Sequence, residues 1–75
     1  MKREFNIVIE QDENGYYVAS VPELPGCHTQ AKSLDELQKR IIEAIELYIE
    51  VDKNRLEKST KFVGIQKVEI IFEET

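Results

Sequence analysis

The chain has 75 residues, ten basic and fifteen acidic side chains, a net charge of −5 and 41% apolar residues. That length makes one domain, residues 1–75, whose folding hides only about 60% of the unfolded surface; the acidic balance disfavours stand-alone binding to phosphate backbones and speeds encounter with a basic protein. One cysteine allows no internal disulfide, the start MKREFNIVIE lacks a signal-peptide apolar core, and no apolar run nears the ~20 residues that span a bilayer, so a cytoplasmic protein without membrane contact is expected.

Residues 4–11, EFNIVIEQ, alternate Phe5, Ile7 and Ile9 against Asn6, Val8 and Glu10, the period of a half-buried strand. Asp12-Glu13-Asn14-Gly15 then signals a hairpin. A two-residue Asn-Gly turn would pair residue 9 with 20 and place Ser20 on the Phe5 face. A three-residue loop with Gly15 in the left-handed conformation pairs 9 with 19 and 7 with 21. The second is preferred, because it joins Tyr17, Ala19 and Val21 to the apolar face and sends Ser20 to solvent, and a one-residue slip would exchange those faces.

Pro22 ends the second strand, since it has no N–H for a ladder. Pro25 and Gly26 mark a tight turn, and a short third strand is predicted from Cys27 to Ala31. Ser33-Leu34-Asp35-Glu36 reads as a capping box in which Ser33 accepts from the Glu36 N–H and Glu36 reaches back. A helix follows from Leu34: Leu37, Ile41, Ala44, Ile45 and Tyr48 recur at three- and four-residue steps, widened by Ile42 and Ile49. It should end after residue 50, with Leu56 marking one or two further turns, inside a polar stretch that reads as helix end plus loop. Gln66 to Phe72 alternates again, Val68, Ile70 and Phe72 against Lys67, Glu69 and Ile71, and predicts a last strand.

The order β-β-β-α-β gives an α+β domain with one helix packed on a four-stranded sheet, the last two strands parallel through a right-handed crossover. One helix covers one face. The other would carry Val8, Tyr16, Val18 and Ile71 among Asn6, Ser20 and Glu69, a half-apolar surface suited to another chain. With so small a core, a homo-oligomer is expected.

Chemistry is thinly represented. Cys27 and His28 are the only residues of their kinds, but neighbours on a strand point to opposite faces and cannot form a nucleophile–base dyad. Cys27 is expected inside and His28 outside, with no enzyme activity. Ligand spacing for a metal is missing, the glycines at 15, 26 and 64 are too scattered for a phosphate loop, and neither metal nor cofactor is expected. What stands out is PELPG, residues 22–26. Two prolines stiffen it, and Glu23 and Leu24 between them offer either an acid and an apolar anchor for a partner or merely a rigid connector.

The run GYYVASVPELPGC at residues 15–27, a polar spacer and then SLDELQKRIIEAIELYIE resemble the HicB antitoxin family over residues 4–50, with the last strand continuing the likeness. The resemblance implies a partial, catalytically degenerate ribonuclease-H-like fold and the role of antitoxin in a type II toxin–antitoxin pair. The implied partner is a HicA-like toxin, a small basic ribonuclease that cleaves messenger RNA and whose catalytic site the antitoxin would occlude. By matching position, Pro22, Glu23, Leu24, Pro25 and Gly26 are the family signature; with Tyr16 and Val18 of the open face they form the expected partner-binding set. Many relatives add a C-terminal helix-turn-helix or ribbon-helix-helix that binds operator DNA. This sequence stops at Thr75, so no C-terminal DNA-binding domain and no direct nucleic-acid binding are expected of it. The alternative is a stand-alone structural or regulatory oligomer without a toxin.

Overall fold

The first loop sets the register of the sheet. In the computed structural model, which describes residues 2–53 and 60–73, the Asp12 N–H donates to the Tyr16 carbonyl at 2.8 Å and the Gly15 N–H donates to the Asp12 carbonyl at 3.0 Å. Asp12 Oδ1 accepts from the N–H groups of Asn14 and Tyr16, both at 2.9 Å. Gly15 has φ +87°, the left-handed residue that closes a three-residue loop after a type I turn. Ile9 consequently lies opposite Ala19, as the three-residue loop requires. Ser20, expected in solvent, is half-buried.

Three antiparallel strands result, β1 (Val8–Gln11), β2 (Tyr17–Ser20) and β3 (His28–Ala31), in the order β1-β2-β3, followed by the helix α1 (Leu34–Val51). β1 begins later than the alternation predicted. At position 6 the backbone N–H donates to the Glu23 carboxylate, at 3.1 Å, instead of to a strand carbonyl. Phe5 and Ile7 nonetheless pack against the core.

Ser33 caps α1, its Oγ accepting from the Glu36 N–H at 3.2 Å. The reciprocal half of the expected capping box is replaced: the Glu36 carboxylate takes Arg40, one turn on, at 2.5 Å. That exposed pair contributes a few tenths of a kcal/mol at most. The helix ends at Val51, and the Asp52 N–H donates to the Tyr48 carbonyl. The further turns around Leu56 lie outside the described residues.

α1 lies over β3 and β2 and makes no close backbone approach to β1. The core is Ala19, Val21, Leu24, Cys27, Ala31, Leu37 and Ile41, with Phe5, Ile7, Tyr17, Ala44, Ile45 and Tyr48 packed around it. Among the described residues the largest fully buried side chains are Leu24 and Leu37. This is a thin core, as the chain length implies.

The fourth strand is where the fold departs from expectation. Residues 60–73 carry no strand, and the described sheet has three members. A strand exists through its ladder, and this segment runs clear of the chain's own sheet, leaving Val63, Ile65, Val68, Ile70, Ile71 and Phe72 exposed. Ile71 and Glu69 therefore do not join Val8, Tyr16 and Val18 on the open sheet face. The radius of gyration, 15.0 Å, exceeds the roughly 11 Å of a compact chain this long, because this arm projects from the body.

Candidate partner-binding site

Residues 21–27 form two successive β-turns. The Leu24 N–H donates to the Val21 carbonyl at 3.0 Å, and the Cys27 N–H donates to the Leu24 carbonyl at 2.9 Å. Each turn has proline at its second position, where a fixed φ near −65° is what the turn needs. The second turn places Gly26 third with φ +86°, the type II geometry that glycine alone meets without strain. The Val21 N–H then donates to the Cys27 carbonyl at 3.0 Å and closes the elbow onto β2 and β3. The spelling P-E-L-P-G is thus two turns sharing Leu24.

Sharing Leu24 aims it inward. Its side chain is fully buried, so it anchors the elbow to the protein's own core. Glu23 is 7% exposed. Its Oε2 accepts from both the backbone N–H and the side-chain amide of Asn6, each at 3.1 Å, while Oε1 is buried without a hydrogen-bond partner among the described residues. Burial by itself would raise its pKa, but the Asn6 donors, its own backbone N–H and the charge of Arg3 outweigh that and hold the carboxyl below its ordinary 4.5. Pro22 is half-buried, and Pro25 and Gly26 are exposed. The elbow residues therefore stand together, with 23 and 24 facing the fold and 25 and 26 facing out.

Tyr16 and Val18 are half-buried on the other side of the sheet. Tyr16 lies beside the first loop, at the opposite end of β2 from the elbow, with the Lys32 ammonium 5.7 Å from its ring centre. The structure does not bring these two into one site with the elbow. Cys27 is buried and His28 exposed, and burial pushes the Cys27 thiol pKa up, away from nucleophilic character. Among the described residues no three His, Cys, Asp or Glu side chains gather as a metal ligand set.

Sequence reasoning overlooked three supports. The Tyr48 hydroxyl donates to the Pro25 carbonyl at 3.1 Å, and the Thr60 hydroxyl donates to the Pro22 carbonyl at 2.9 Å; Asn6 is the third. Tyr48 was legible in principle, since a phenol on an apolar stripe wants a partner. An open groove also lies between the elbow and α1, with Pro25, Gly26 and His28 on one wall and Ala44, Leu47 and Val51 on the other. Leu47 and Val51 stand one turn apart, outside the core stripe and exposed. The last turn of α1 carries no basic residue, so Glu46 and Glu50 add to the negative end of the helix dipole beside an apolar rim.

The described residues thus form a small α+β domain with a prolyl elbow, an apolar groove and an acidic helix end. The sequence model described as HicB-like antitoxin of bacterial toxin–antitoxin systems matches residues 5–73, and the chain belongs to that family. Similar curated proteins include a UPF0150 protein of Archaeoglobus fulgidus, 64% identical over 89% of this chain and 94% of its own length. One from Synechocystis sp. is 46% identical over the same shares, and one from Thermotoga maritima is 32% identical over 93% of each.

Proposed function

We propose that this protein is the antitoxin of a type II toxin–antitoxin pair, a non-enzymatic cytoplasmic homo-oligomer that binds and occludes a HicA-like, messenger-RNA-cleaving ribonuclease. The family match across residues 5–73 carries this reading. The charge of −5 and the acidic end of α1 beside the elbow groove support a basic protein as the ligand, rather than a nucleic-acid backbone. Pro22, Pro25 and Gly26 are the elbow's contact surface. Glu23 and Leu24 act by holding its shape, and Tyr16 and Val18 offer a separate contact on the open sheet face. No described helix is long and apolar enough to cross a membrane. The ribonuclease-H-like description extends the three-stranded fold by counting residues 66–72 as its fourth strand.

A native pull-down with this chain as bait, the eluate identified by mass spectrometry, tests the reading. A small basic protein encoded next door should co-elute in fixed ratio and lose ribonuclease activity in the complex. Recovery of the bait's own oligomer alone, from cells shown to express that neighbour, would remove the toxin. It would leave the stand-alone oligomer, which the exposed arm at residues 63–72 favours.

A further inference from the structure

We infer that residues 63–72 are an exchanged strand, which pairs with the β1 edge of a second copy of this chain and fills the groove between that copy's β1 and α1. The inference rests on the homo-oligomer part of the proposal above and does not require a toxin.

The arm has the pattern of a strand and the surroundings of none. Val68, Ile70 and Phe72 alternate with Lys67, Glu69 and Ile71, yet the first three are 67, 71 and 70% exposed. The chain's accessible surface is 6831 Å², whereas a compact monomer of this mass presents about 4,800 Å². The excess, roughly 2,000 Å² per chain, is more than twice the ~800 Å² that each partner loses in a standard interface and, counted over two chains, falls in the range of obligate dimers.

The receiving surface is on the same chain. β1 is an edge strand, so alternate backbone groups along it face outward without a ladder. Because α1 sits over β3 and β2, the inner face of β1 is left uncovered: Ile9 and Leu34 remain 53 and 52% exposed. An apolar groove runs between them, floored by Ile7, Leu37 and Ile41. A strand added at this edge would send every second side chain into that groove, the β-augmentation mode of recognition.

A second copy is the occupant that satisfies both surfaces. The arm's outward side mixes Lys67 with Glu69, which shows no bias toward a basic partner. Each chain supplies one arm and one edge, so a two-fold exchange covers both in equal number, the isologous arrangement usual for dimers. Thr60 holds the arm's root at Pro22, and ten extended residues reach about 33 Å, enough to cross to a neighbour.

The test uses full-length chains and light scattering after size exclusion. The wild type should run at twice the 8.8 kDa chain mass. An arm variant, Ile70→Asp with Phe72→Asp, and a groove variant, Ile9→Asp with Leu34→Asp, should each weaken the dimer by about tenfold or more. Circular dichroism should keep the helix signal of α1, since all four side chains are largely exposed, and lose only the strand signal that the arm gains on pairing. Mixing the two variants should restore some dimer, because an intact arm of one meets an intact groove of the other. A monomeric wild type would overturn both this inference and the oligomer reading. A dimer that survives the arm variant would overturn the exchange while leaving the oligomer standing. A dimer that survives only the groove variant would mean that arms pair with each other, and failure of the mixture to recover would mean that each arm serves its own chain; either overturns the proposal.

Discussion

Residues 17–27 and residues 63–72 use similar residues, alternating β-branched and aromatic side chains with charged or small ones, and they end in opposite environments. The first stretch is folded against its own chain: two prolyl turns reverse it, Leu24 pins it, and hydroxyls from Tyr48 and Thr60 hold both proline carbonyls. The second has the alternation but no strand partner among the described residues, and its apolar side chains face solvent. A hydrophobic period specifies a strand's faces, but only a neighbouring ladder specifies its place. Turn chemistry supplies that neighbour locally in the elbow; in the arm the period alone supplies none.

Four substitutions sharpen the contrast, in falling order of effect. Leu24→Ala removes one of the two large, fully buried side chains among the described residues and should cost about 2–5 kcal/mol, enough to leave so small a domain largely unfolded; urea or thermal melts followed by circular dichroism would show it. Gly26→Ala should cost about 1–2 kcal/mol through its φ of +86° alone, because an added Cβ meets no atom within 4 Å; a loss in denaturant midpoint larger than that would mean the elbow is held by packing not described above.

Glu23→Gln should lower stability at neutral pH by a smaller amount that depends on acidity. The folded carboxyl ionises below 4.5, so its contribution is complete above that value and fades as pH falls through the folded pKa. Wild type and variant should therefore converge on acidification, and parallel melting curves across pH would contradict the Asn6–Glu23 bond as the source. Ile71→Ser, at a side chain 92% exposed on the outward side of the arm, should leave the melting temperature of dilute protein unmoved, within about 0.5 kcal/mol.

Much of the body was legible in the residues. The three-residue loop followed from matching Ala19 and Val21 to Ile7 and Ile9, and Ser33 and the Leu37–Ile41–Ala44–Ile45–Tyr48 stripe located the helix. The inward Cys27 and outward His28 followed from strand alternation. The elbow's composition announced rigidity but not direction: that Leu24 faces the core comes from its place in two turns at once, which only backbone hydrogen bonds reveal. The arm's period predicts a strand but carries no information on which sheet it joins. Leu47 and Val51 form an i,i+4 apolar pair outside the dominant stripe, a weaker signal than the core period that surrounds it.

Cys27 gives the molecule a built-in clock. Its thiol is the only one in the sequence, lies buried beneath the elbow and has a raised pKa, so an alkylating reagent reaches it only when the elbow opens. The rate of modification then counts those openings directly, without any label being introduced. Measured with and without a bound partner, it would tell whether docking slows the elbow's breathing or leaves it untouched.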